Sequence, residues 1–132
     1  MAHRFELQVY YEDTDMAGIV YYANYLRFIE RARSDWVRQL GIDQLKMKQD
    51  GIVFAVRRVE ADYLSPAVFE DSLVVHTTVK HLTAARMVMA QSVMRADEVL
   101  FQADVTIVCI GSGGRPVKLP AELRSLLDNS PK

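Results

Sequence analysis

The residues best placed to do chemistry lie close together near the start of the chain. Asp13-Thr14-Asp15 is followed by Gly18 and then by Tyr21, Tyr22, Asn24 and Tyr25, at the point where an alternating pattern gives way to a helical one. A carboxylate aimed at the N-terminus of a helix can hydrolyse an acyl bond. The free helix amides hold the developing oxyanion, and the carboxylate attacks the carbonyl carbon or takes a proton from a water that does. Asp15 is the candidate for that carboxylate. Loop composition alone equally allows Asp15 to support the turn or cap the helix.

The elements that must position this loop can be read from periodicity. Residues 4–11 alternate, with Phe5, Leu7, Val9 and Tyr11 on one face, which predicts a half-buried strand. The segment Asp13 to Gly18 breaks it, and Gly18 supplies the backbone freedom a tight loop needs. A long amphipathic helix is expected over 22–40, with Tyr25, Ile29, Ala32, Trp36 and Leu40 as its apolar stripe. Asp35 can pair with Arg31 or Arg38 on that helix, Gly41 suits its C-terminal cap, and a shorter helical piece covers 42–48. Strands are expected over 53–63, 72–82, 86–95 and 99–110. Residues 111–114 form a glycine-rich loop, and Pro120 opens a short terminal helix through about Leu127. One strand, a long helix and four consecutive strands make a segregated α+β pattern: a single domain, 1–132, whose antiparallel sheet curls around one helix.

Composition narrows the function. The 132 residues carry 16 basic and 17 acidic side chains in mixed order, which disfavours a nucleic-acid footprint. No apolar run approaches ~20 residues, so no membrane span is expected, and residues 1–8 lack the apolar core of a signal peptide; a cytoplasmic protein is the default expectation. The lone Cys109 falls in an apolar strand pattern and reads as a buried, inert thiol. His3, His76 and His81 do not form a metal-ligand spacing, and no metal is expected. A phosphate-bearing coenzyme would need only a few local cations. Lys80, His81, Arg86, Arg115 and Lys118 are the candidates, each equally readable as a solvated charge.

Taken together, Tyr11-Glu12-Asp13-Thr14-Asp15, Ala17-Gly18-Ile19-Val20-Tyr21, Asn24-Tyr25 and Phe28-Ile29-Glu30-Arg31-Ala32-Arg33 resemble the opening motif of the 4-hydroxybenzoyl-CoA thioesterase family, and most closely its tol–pal-associated, YbgC-type branch. Val56-Arg57-Arg58, Tyr63, Pro66-Ala67 and Asp71 extend the resemblance. The resemblance implies a hotdog fold, a five-stranded antiparallel sheet wrapped around one long central helix. It also implies dimers with a continuous sheet, often paired into tetramers, with active sites at the subunit interface. The implied activity is cofactor-free hydrolysis of acyl-CoA to free acid and CoA. Asp15 would be nucleophile or general base, the Tyr22 backbone amide the oxyanion donor, and Gly18, Val20 and Tyr21 the substrate loop. Arg86 would contact the CoA phosphates, and Asp13 would hold the turn. Met16 stands where one branch often has proline, and Tyr22 where close relatives often have histidine. A hydratase on this fold needs an acid–histidine pair near the helix start, and no histidine lies between His3 and His76. A weakly catalytic or non-catalytic protein that binds acyl carrier protein or an envelope complex is the alternative on the same fold.

Overall fold

Alternation of branched and aromatic residues builds the sheet. The computed structural model describes residues 3–128. Chain order is β1 (His3–Gln8), a 3-10 turn (Tyr11–Asp13), α1 (Asn24–Gln39), α2 (Gln44–Gln49), β2 (Val53–Tyr63), β3 (Ser72–Leu82), β4 (Arg86–Arg95), β5 (Glu98–Ile110), β6 (Pro116–Val117) and α3 (Ala121–Asp128). The strands form one antiparallel sheet in the order β1-β3-β4-β5-β2, with the two-residue β6 added beside β5. Register shifts leave one extra residue in each of β2 (Arg57), β3 (Lys80) and β5 (Leu100). Such bulges bend a strand and increase its twist, which suits a sheet that must curl.

The concave face holds α1, which packs on β1, β3 and β4. The stripe expected from the sequence is the face that is buried: Tyr25, Ile29, Ala32 and Trp36 are in the core with Phe28 and Val37, and Leu40 packs at its edge. Inward positions of β3, β4 and β5 (Leu73, Val75, Met87, Met89, Phe101, Val105) complete the core. A side chain the size of Phe28 or Phe101, both fully buried, contributes roughly 1.5–3 kcal/mol by leaving water. Gly41, at φ +88°, ends α1 as expected; its amide reaches the Arg38 carbonyl and Ile42 N–H reaches that of Val37.

Three details depart from the sequence reading. β1 ends at Gln8, and Tyr11 belongs to the 3-10 turn with 80% of its surface exposed. The turn is set by Asp13, whose carboxylate draws in the Tyr10 amide (2.9 Å), so local side-chain bonding overrides alternation. Helix α1 begins at Asn24, two residues later than expected. Asp35 pairs with Arg38 (3.5 Å) and accepts from His3 Nε2 (2.9 Å), and among the described residues Arg31 is not its partner. His3 also stacks on Trp36 (5.7 Å, 9°), tying β1 to the middle of α1. Cys109 is fully buried, and burial pushes its thiol up to about 11. No helix among the described residues is long and apolar enough to cross a membrane.

Candidate active site

The loop between the 3-10 turn and α1 folds on its own backbone. Asp15 N–H donates to the Ile19 carbonyl (2.9 Å) and Gly18 N–H to the Asp15 carbonyl (3.0 Å), closing a tight reversal. Gly18 sits at φ +81°, a left-handed conformation that a side chain would strain. Thr14 and Ile19 make single bridges to Val20 and Val68, which dock the reversal against the segment after β2.

The two aspartates have different environments. Asp13 is buried, and both its oxygens are used: Oδ2 accepts from Tyr10 N–H (2.9 Å) and Oδ1 from Asn24 Nδ2 (3.0 Å). Its carbonyl also accepts from Tyr21 N–H (2.9 Å), so Asp13 fastens the loop to the first residue of α1. Asp15 is exposed. Its Oδ1 accepts from Ala17 N–H (2.9 Å), and among the described residues Oδ2 has no hydrogen bond.

Asp15 opens onto a cleft of about 430 Å3, shared with Val20, Tyr22, Tyr25, Tyr63 and the Leu64-Ser65-Pro66 segment. Helix α1 starts just after Tyr22 and Ala23, and Ala23, its N-terminal cap residue, makes no side-chain cap. The first amides of a helix have no partner within it. Among the described residues neither Tyr22 N–H nor Ala23 N–H meets a backbone or side-chain acceptor, whereas Val20 and Tyr21 N–H are taken by the Ala67 and Asp13 carbonyls. The cleft therefore combines a carboxylate oxygen with Tyr22, a residue whose amide is free, at the positive end of a helix dipole. Aromatic rings wall it: Tyr22 lies against Tyr21 (4.9 Å) and Tyr63 (6.2 Å), and Tyr25 stacks on Phe101 (5.0 Å). The hydrogen bond and the electrostatic pressure from Tyr22, then desolvation and the Asp15 carboxylate, hold the Tyr21 phenol above its ordinary range. Burial does the same for Tyr25 and Tyr63.

Of the residues singled out from the sequence, Asp15, Val20 and Tyr22 line this cleft, Gly18 forms its loop, and Tyr21 packs on Tyr22. Arg86 is elsewhere. Tyr63 and Val93 both pair with Phe101, whereas Arg86 pairs with Val108. Arg86 therefore lies seven residues down β4 from the row of Tyr63, about 23 Å away at ~3.3 Å per residue. Lys118 is at that far end too, since Leu119 N–H reaches the Ala84 carbonyl (2.9 Å). Lys80 is already committed to Asp104 (2.6 Å). The sequence reading placed Tyr25 in the apolar stripe of the helix and Tyr63 among the resembling residues, and gave neither a part in the site.

The family description that matches residues 9–127 is the thioesterase-like superfamily. The acyl-CoA thioesterase YbgC of Haemophilus influenzae is 37% identical over 123 residues, 92% of this chain and 90% of that protein. The acyl-CoA thioester hydrolase YbgC of Escherichia coli is 34% identical, covering 81% of each chain. Among solved structures, a probable thioesterase from Bartonella henselae superposes with a TM-score of 0.87 at 34% identity, over 91% of this chain and 100% of that one. A sheet curled on α1, a carboxylate loop at the helix start and this near-full-length similarity lead to one conclusion: the chain belongs to the thioesterase-like superfamily, as a thioesterase of YbgC type.

Proposed function

We propose that the chain hydrolyses acyl-CoA thioesters in the Asp15 cleft. The observation that carries this reading is the free Asp15 Oδ2 in one cleft with Tyr22, whose amide is unpaired at an uncapped helix start. The thioester carbonyl oxygen sits at the Tyr22 amide. Asp15 either takes a proton from a water, whose oxygen then adds to the carbonyl carbon, or adds directly to give a mixed anhydride that water opens. In both routes the C–S bond breaks, the electron pair leaves on the CoA sulfur as it gains a proton, and the acid is released. The amide stabilises the oxyanion of each tetrahedral state, a contribution on the order of 3 kcal/mol for one well-aimed donor.

The complete site needs two chains. β2 is an edge strand with Val53, Val56, Val59 and Tyr63 exposed, an apolar edge of the kind that pairs with another strand. Antiparallel pairing of β2 with its own copy about Arg58 turns the second chain end for end. The far end of that sheet, with Arg86 of the partner subunit, then comes to the Asp15 end of the first. This arrangement reconciles a nucleotide-binding Arg86 with its distance from Asp15 in one chain, and it makes a homodimer, further paired into a tetramer, the working unit. An acyl carrier protein presents the same thioester without the CoA nucleotide and is the alternative donor.

The test is thiol release from short, long and aromatic acyl-CoAs and from acyl carrier protein. Turnover of at least one acyl-CoA with kcat/KM at or above ~10^4 M−1 s−1 is expected. Absence of release across all acyl-CoA classes contradicts the proposal, and release from acyl carrier protein alone favours the alternative donor.

A further inference from the structure

We propose that Tyr63 is a positioning residue of this site: its hydroxyl holds the Tyr22 carbonyl and so fixes the peptide plane that joins Tyr22 to Ala23 at the start of α1. This inference rests on the thioesterase reading of the Asp15 cleft.

The Tyr63 hydroxyl donates to the Tyr22 carbonyl at 3.0 Å, across 41 positions of sequence. That carbonyl is free to be held because the helix does not use it. Leu26 N–H turns to the Ala23 carbonyl (3.2 Å), and Asn24 N–H to that of Tyr21 (2.8 Å). A trans peptide is planar, so its carbonyl and the following N–H point in opposite directions. Holding the Tyr22 carbonyl therefore aims Ala23 N–H and limits rotation next to the Tyr22 amide. The ring that does this is itself fixed. It meets Tyr25 at 5.6 Å and Phe101 at 5.0 Å, both edge-on, and the Tyr25 hydroxyl is anchored by Ala67 N–H (3.0 Å). A rigid path thus runs from the sheet core, through Tyr63, to the peptide that adjoins the Tyr22 amide proposed to meet the oxyanion. Burial and the neighbouring Tyr22 raise the Tyr63 phenol, which keeps it a donor.

Tyr63→Phe removes the hydroxyl and leaves the ring. The carbonyl is then left to water and the peptide next to the Tyr22 amide is free to rotate, while packing and the acyl surface are unchanged. A kcat lower by ~10- to 100-fold is expected, the scale of a small misalignment of reacting groups. Affinity for a non-hydrolysable thioether analogue of the best acyl-CoA should stay within about twofold, because its CH2 in place of the thioester carbonyl offers no oxygen to the Tyr22 amide. The melting temperature should not move. An unchanged kcat overturns the inference, as does a loss of analogue affinity equal to the loss in kcat/KM, or a fall in melting temperature, either of which assigns Tyr63 a packing role. Asp15→Asn is measured alongside. If it abolishes turnover while Tyr63→Phe does not change kcat, only the Tyr63 inference fails; if it retains wild-type turnover, the cleft is not the reactive site and both readings fall.

Discussion

Asp13 and Asp15 are the same residue type two positions apart, and hydrogen bonding separates their environments. Asp13 spends both oxygens on Tyr10 and Asn24 inside the fold, so its charge is consumed by structure. Asp15 spends one oxygen on its own loop and keeps the other for the cleft. Disturbing a buried carboxylate whose oxygens are both hydrogen-bonded costs stability, whereas an exposed oxygen with no partner carries little of it. Cys109 shows the other use of burial. Its thiol is raised from 9.0 to about 11 because the apolar surroundings disfavour the thiolate. The folded protein keeps a proton there that the unfolded chain loses above about pH 9. That stabilisation is complete below pH 9 and declines as pH rises toward 11, by roughly 2–3 kcal/mol at most. Melting curves should show Cys109→Ala flattening the decline between pH 9 and 11 relative to wild type. Parallel declines in the two proteins would mean that the thiol is not the titrating group.

At the scale of elements, the apolar stripe of α1 anchors the sheet, and its uncapped start is the proposed oxyanion site. The His3–Asp35–Trp36 contact sets how β1 meets that helix. His3→Ala removes one hydrogen bond to a carboxylate and one ring stack, together worth about 2–3 kcal/mol. Differential scanning calorimetry should show a clear fall in melting temperature, and an unchanged value would mean that β1 is held by its sheet pairing alone. Much of this scale was legible in the sequence. The bounds of β2, β3 and β4 agree residue for residue with the alternation, β5 starts one residue earlier than expected, and the α1 stripe from Tyr25 to Trp36 is the buried one. The contacts that escaped are long-range. His3 finding Asp35, and Tyr63 finding the Tyr22 carbonyl, join positions 32 and 41 apart, and neither leaves a local pattern to read. Tyr11 was misplaced because a buried carboxylate two residues later reorganises its backbone into a turn.

For the whole molecule, the question is how a cleft at one end of the sheet meets cations at the other. The proposed pairing of β2 edges answers it by symmetry. Val59, near the centre of β2 and 39% exposed, would face Arg57 of the partner subunit in a pairing centred on Arg58. Val59→Lys places like charges across that seam; light scattering should find monomers, and acyl-CoA turnover should fall with them. A Val59→Lys protein that stays dimeric and active would exclude β2 as the seam. Within an intact dimer, Arg86→Ala should raise KM for acyl-CoA and spare a small thioester lacking the nucleotide, since a phosphate contact acts equally in ground and transition states. All of this depends on Asp15 as the reacting carboxylate. The most direct measurement is kcat with melting temperature for Asp15→Asn and Asp13→Asn on the best acyl-CoA. Asp15→Asn should lower kcat by roughly 100-fold or more at unchanged melting temperature, while Asp13→Asn costs far less turnover. Near-wild-type kcat in Asp15→Asn, or a greater loss in Asp13→Asn at unchanged stability, would contradict the account.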